Sequence, residues 1–331
     1  PEENVRVIAS DTGSGFGGKQ GGAVAVEAAC LAREAGKPVK LCWTREDEFQ
    51  ANYFRPAALV EVRSGADVKG QIQAFDFHNY NSGASGLPIP YNFPNYYLGY
   101  HPANTPLRQG SYRALAAVAN TFAREMHMEE WAAGMKEDSI AFRLRHIEDA
   151  RLKEAILKGA ERFGWGKGGS KPGMAQGMAC TIEKDARLAF FVEVKAGGKD
   201  VNLLRALMVF DPGAVLNPDN LRNQITGNVI QATGPALYER IVWDDTHLRT
   251  RHLGQYRVPR FSDAPEIEVE LIDRRGIPAA GAGESPNTVV APAIAAAIHR
   301  ATGIWLRDLP LLPALAKAIE AKPQGTARAN Q

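Results

Sequence analysis

Apolar positions recur along the chain in two rhythms, and each change of rhythm marks an element. Residues 5–9, Val-Arg-Val-Ile-Ala, make a short apolar run that reads as a buried strand. A glycine-rich stretch from Asp11 to Lys19 follows, and then apolar positions at helical spacing over residues 22–34, stopped by Gly36. Strands are expected at 39–43, 58–63 and 72–78, the last of them alternating. Residues 80–106 carry Asn, Gly, Pro and Tyr without a period and read as a long ordered loop of the kind that lines sites. Helical spacing returns over 117–133, 139–149 and 152–163. The Gly-rich run 164–173 is then expected to link two subdomains, 1–163 and 174–322. The second of these has strands near 189–194, 203–211 and 267–272 and a closing helix over 290–302, with a polar tail at 323–331. The mixture predicts an α+β fold of mixed sheets with packed helices.

Composition narrows the partners more than the fold. The 331 residues are 45% hydrophobic and 23% charged, enough for two core-bearing units. With 39 basic against 37 acidic residues the net charge is only +2, which favours neither nucleic acid nor a membrane surface. No apolar run approaches the roughly 20 residues of a membrane span, so a soluble chain is expected, its compartment open between cytoplasm and periplasm. The chain enters an apolar stretch within a few residues of Pro1, which reads as a start in mid-domain. Cys30, Cys42 and Cys180 lie far apart and are expected to be buried thiols. They cannot ligate an iron–sulfur cluster, so any electrons must leave through another polypeptide. His247 and His252, the nearest histidine pair, lack the helical spacing of a zinc site.

Four segments could carry chemistry. Gly13-Ser-Gly-Phe-Gly-Gly-Lys19 lies between an expected strand and a helix, where bare backbone can approach a ligand and free amides favour an oxyanion. It also fills the first seven positions of a nucleotide-binding P-loop, with Asp211 at the end of an apolar strand as a metal-binding acid, although Gln20 stands where a hydroxyl is needed. Glu284, framed by Gly281, Gly283 and Pro286, reads either as a general base in a tight loop or as a helix-end charge. Arg113 emerges from a Pro- and Gly-rich loop, free to grip a phosphate or a carbonyl, or to pair with an acid of the next helix. Asn217-Pro218 with Gln224 offers amides for a polar heterocycle, or is a plain turn.

In this order the four segments resemble the molybdenum-binding subunit of the xanthine oxidase family, over nearly the whole chain. Gly15, Phe16, Gly17 and Gly18 look like the family's G-G-F-G-G-K loop, Arg113 like the Arg of its R-G-F-G-x-x-Q segment, and Gln224 like the Gln of its N-P-x-x-x-x-x-Q segment. Gly283-Glu284-x-Pro286 looks like the G-E-x-P that carries the catalytic glutamate. Within the family, the short path from Gln176-Gly-Met-Ala179 to Asn217 is similar to the isoquinoline 1-oxidoreductase and nicotinate dehydrogenase group. The resemblance implies a carboxy-terminal half of a large subunit that works with its amino-terminal half and a small 2Fe–2S subunit. It implies molybdenum–molybdopterin, in the cytosine dinucleotide form, as cofactor, with the metal held by the pterin and no protein ligand. The implied reaction hydroxylates an N-heteroaromatic or aldehyde carbon with oxygen from water, Glu284 acting as base. A nucleotide hydrolase and a degenerate scaffold without cofactor are the two other readings. Gln20, Ala114, Ala116 and Thr226 depart from the family pattern, and nothing in 80–106 aligns with a purine-binding Arg.

Overall fold

The computed structural model describes residues 1–11, 13–19, 21–167 and 171–321. Two sheets organise the chain. In the smaller, β1 (Leu59–Ala66) pairs antiparallel with β2 (Ile72–Tyr80), which pairs in parallel with β3 (Asn95–His101). In the larger, β4 (Met174–Glu183), β5 (Ala186–Gly197) and β6 (Asp200–Asp211) form an antiparallel meander, and β7 (Glu266–Leu271) adds in parallel beside β6.

The run Leu-Ala-Phe-Phe-Val in β5 has no polar face because the larger sheet is covered on both sides. Leu188, Phe190, Val192 and Val194 point to a core formed with α6 (Pro218–Leu237), α7 (Val290–Thr302) and α8 (Leu311–Ala321). Ala189 and Phe191 point to a second core shared with α5 (Ala150–Phe163), α4 (Ser139–His146) and Phe75 and Phe77 of β2. Helix α7 lies so close on β4 that a Cβ at Gly177 would overlap the carbonyl of Ala293. Packing therefore continues across the residues on either side of 164–173, since α5 sits on β5 and β6.

Helix α3 (Ala117–Gly134) joins the two cores, with Phe122 and Met126 in one and Met128 in the other. Its polar residues are locked in a buried ionic network. Glu125 accepts from Arg143 Nε at 3.0 Å and from Tyr91 Oη at 2.6 Å, while Glu129 accepts from Arg143 at 3.1 Å and Arg300 at 2.6 Å. Burial pushes the Glu129 carboxyl up, but Arg143 and Arg300 overcome it and hold the group below its ordinary value.

The amino-terminal residues differ from expectation. Residues 5–9 form no strand, and Val5, Val7 and Ile8 are 69%, 85% and 76% exposed. Residues 39–43 form none either. An isolated strand leaves its backbone groups unpaired, and neither run has a neighbouring strand among the described residues. Helix α1 (Ala23–Ala35) forms as expected, closed by Gly36 at φ +60°, but buries no residue. Cys30 and Cys42 are exposed, contrary to expectation, and only Cys180 of the three is buried. Four elements went unread: β3, which lies inside the expected loop 80–106, α2 (Arg45–Ala51), α6 and α8. Strand β4 was read only as a motif. Gln20, part of the linker 164–173 and the tail 323–331 lie outside the described residues.

Candidate functional site

A cavity of about 390 Å³ opens where the amino-terminal loop meets the two-core body, lined by Phe16, Gly17, Arg113, Lys184, Gly283 and Glu284 among others. These residues come from four separate stretches of chain. The loop carrying Phe16 (φ +50°) and Gly17 (φ +110°) runs against the segment before α3 so closely that a Cβ on Gly17 would overlap the Ser111 carbonyl. Tyr53 Oη donates to the Gly17 carbonyl from behind. The same seam is tied by Phe54 N donating to Arg108 O at 2.8 Å and Gly110 N to Phe54 O at 3.1 Å.

Arg113, only 7% exposed, makes no acidic pair. Its guanidinium donates to Gly283 O at 2.7 Å, Gln231 Oε1 at 2.7 Å and Gln224 Oε1 at 3.2 Å, and it lies 5.0 Å from the centre of the Phe16 ring. Three uncharged acceptors leave its positive charge uncompensated, and burial holds it below its ordinary pKa range. Gln224 and Gln231 stand two turns apart on one face of α6, whose start is capped by Asn217 accepting from Asn220 N at 3.0 Å. Asn217–Pro218 is thus a helix start, with Pro at the first helical position.

Glu284 precedes the short 3₁₀ turn Ser285–Val289 that leads into α7, yet its side chain caps nothing. Its Oε2 accepts from Ala114 N at 2.9 Å, and its Oε1 pairs with Lys184 Nζ. Ala114 and Leu115 hold positive φ values, +70° and +50°, so the chain after Arg113 is turned to aim an amide at Glu284. The wall around it is bare. Gly281 and Gly283 have nothing within 4 Å of a Cβ position, and Ser285 Oγ is buried without a partner. A bare glycine rim, an orphan hydroxyl, two cations and one carboxylate suit a polar, anionic heterocyclic group with space for a small substrate. Among the described residues no cluster of His, Cys, Asp or Glu could hold a metal through side chains.

The residues singled out in the sequence, Gly15 to Gly18, Arg113, Gln224, Gly283 and Glu284, therefore converge on one region, with Gln224 reaching it through Arg113. Lys184, Gln231, Ser111 and Ser285 were missed. Gln231 was signalled by its seven-residue spacing from Gln224, and Lys184 by its place at the turn of a two-strand pattern. The P-loop reading fails. Among the described residues no strand precedes the glycine loop, α1 starts four residues after Lys19, and Asp211 is occupied by Arg151 and Arg274, at 2.5 Å each.

The fold and the family models that match it define a molybdopterin cofactor-binding protein. Two family models described as molybdopterin cofactor-binding domain match residues 1–147 and 102–265, and the chain belongs to the molybdenum-binding subunits of the xanthine oxidase family. It is 26% identical to a subunit of the nicotinate dehydrogenase of Pseudomonas putida, over 94% of this chain and 30% of that protein. It is 29% identical to the beta subunit of isoquinoline 1-oxidoreductase from Brevundimonas diminuta, over 94% of this chain and 43% of that protein. The chain thus spans less than half of the length of these curated relatives. Its fold matches quinoline 2-oxidoreductase from Pseudomonas putida 86 with a TM-score of 0.79 at 14% identity, covering 95% of this chain and 68% of that one. No helix of the described residues is long and apolar enough to cross a membrane.

Proposed function

We propose that this chain supplies the base-bearing part of a molybdenum hydroxylase that hydroxylates an N-heteroaromatic or aldehyde carbon with oxygen from water. The observation that carries the reading is the meeting of Glu284, Arg113 and the Phe16–Gly18 loop at one cavity, from segments more than 90 residues apart in sequence. When bound, molybdenum–molybdopterin, in its cytosine dinucleotide form, supplies the two-electron acceptor. The protein does the rest. Phe16 and the Gly17 backbone wall one side, Arg113 offers an uncompensated cation fixed through Gln224, Gln231 and Gly283, and the bare Gly281–Gly283 rim admits a flat group. Glu284, oriented by the Ala114 amide, takes the proton from the attacking water-derived nucleophile within the cavity.

The remainder of the cradle and the cover for α1 and residues 5–8 are assigned to an amino-terminal half of the large subunit. Electrons are assigned to a small 2Fe–2S subunit, since the described residues offer no cluster ligands. Residues 1–163 and 174–322 are assigned to two cofactor-binding subdomains joined by 164–173. The test is molybdenum and pterin analysis of the chain purified with its amino-terminal half and separately on its own. Near-stoichiometric metal in the first and none in the second is expected. An assembled protein without molybdenum overturns the reading.

A further inference from the structure

The β4–β5 hairpin turns on two residues, Lys184 at φ +50° and Asp185 at φ +63°, between the paired Glu183 and Ala186. This is the left-handed geometry that Asn-Gly or Asp-Gly adopts without strain, and lysine is a poor choice for its first position. The turn sequence is therefore not optimised for turning. What it achieves is placement. Arg187 clamps the far side of the turn, donating to Asp149 at 2.7 Å and to the Asp185 carbonyl at 2.9 Å, and the strands on either side are buried. Lys184 is delivered from this fixed base to the cavity wall, where its half-exposed ammonium pairs with Glu284.

As the pair stands, the ammonium occupies one oxygen of the carboxylate while the Ala114 amide holds the other. Each oxygen keeps a further lone pair, but an ammonium held against the carboxylate opposes the arrival of a proton there. The cavity also carries two cations, Arg113 and Lys184, against the single carboxylate of Glu284, and Arg113 is fixed by three hydrogen bonds. Lys184 is the cation able to move. Its charge sits on a flexible four-carbon stem, so it can transfer from one carboxylate to another without disturbing the backbone.

We propose that Lys184 is a specificity-determining residue, which receives a carboxylate on the substrate and thereby releases Glu284. This rests on Glu284 being the base. A substrate with its own carboxylate exchanges one ion pair for another, whereas a neutral substrate leaves the Lys184–Glu284 pair intact or must break it without compensation. The site therefore selects aromatic acids over their neutral isosteres.

Benzoate and benzamide, of nearly equal shape, serve as probes, with binding measured calorimetrically on the assembled, molybdenum-containing protein. Benzoate is expected to bind more tightly by about fivefold at low salt, the upper range for a partly exposed ion pair, and the margin should shrink as salt rises. In Lys184→Asn the ratio should fall to near one, and Lys184→Arg should retain it. Asn suits the left-handed turn, so the melting temperature of that variant should hold, separating loss of charge from loss of fold. An equal affinity for both probes in the unaltered protein, or a preference that survives in Lys184→Asn, overturns the proposal. Metal content is measured first on the same sample. Absence of molybdenum would defeat the hydroxylase reading, whereas molybdenum without acid preference defeats only the role of Lys184.

Discussion

Helices α1 and α7 are the same length, 13 residues, both are rich in Ala, and both end at a left-handed glycine, Gly36 and Gly303. Their fates are opposite. Val290 to Ile298 are buried without exception, nine residues against β4, β5 and α3, while α1 buries none. Pattern and capping specify a helix in each case, but burial requires a facing surface, and among the described residues only α7 has one. The contrast extends to the whole molecule. Residues before about 52 touch the body at a few points, such as Phe49 on Tyr256 and Gly17 on Ser111, whereas the larger sheet is enclosed. The site lies on the boundary, with its carboxylate and cations on the enclosed side and its glycine loop on the open side.

The largest expected effect lies on the enclosed side. Glu284→Gln in the assembled protein should lower kcat by about 10²–10⁴-fold with molybdenum and pterin content retained, because Gln keeps the Ala114 hydrogen bond but cannot take a proton. Rates within a few-fold of the unaltered protein would show that the enclosed side is scaffold only. Next comes the packing itself. Ile294→Ala, at a fully buried position in α7, should cost about 2–5 kcal/mol in denaturant unfolding. A cost under about 1 kcal/mol would mean that the enclosed core is looser than its burial implies.

A third test addresses the boundary. Glu239, at the end of α6, accepts from Tyr256 Oη at 2.8 Å and lies near Arg55; burial dominates and pushes its carboxyl up to about 7. The folded chain then holds this proton more tightly than the unfolded chain, so stability is greatest below the ordinary carboxyl range and falls as pH rises toward 7. The slope should be at most about 1.4 kcal/mol per pH unit, flattening above that value, and Glu239→Gln should abolish it. Identical pH profiles for the two proteins would show that Glu239 plays no part. Smallest of all, Leu31→Ala on the open face of α1 should change the stability of this chain by less than about 0.5 kcal/mol. The same substitution should cost more once the amino-terminal half is present, which sharpens the contrast into a measure of what covers α1.

The contrast also explains what was legible in the sequence. Regular periods gave α3, α5, α7, β2 and β5, where packing and pattern agree. Helix α6 was hidden because Asn217-Pro218, Gly227 and Gly234-Pro235 all read as breakers, and only the burial of Ile225, Val229 and Ala232 reveals its inner face. Strand β3 was hidden because Asn95-Tyr-Tyr-Leu-Gly-Tyr-His101 lacks alternation and gains its order from β2. Residues 5–9 erred in the other direction, a strand pattern with no strand to pair. Glu284, Arg113 and Phe16 were legible as candidates because glycine and proline frame them, and the structure brings all three to one cavity. Lys184 was not, since the turn pattern marks its place but not its contact with Glu284, 100 residues away.

The topology of the larger sheet bears on the order of folding. Strands β4 to β6 are joined by turns of two residues each, so they can pair early and locally, but β7 enters in parallel only after the 54 residues 212–265 have been closed into a loop. Glu284 lies just beyond β7. The carboxylate of Glu284 is thus expected to be set in place by the last closure of the sheet, after the surface that receives it. Pulse-labelled hydrogen exchange should find the amides of β5 protected before those of β7, and a chain arrested between those stages would present a formed cavity wall that still lacks the Glu284 carboxylate.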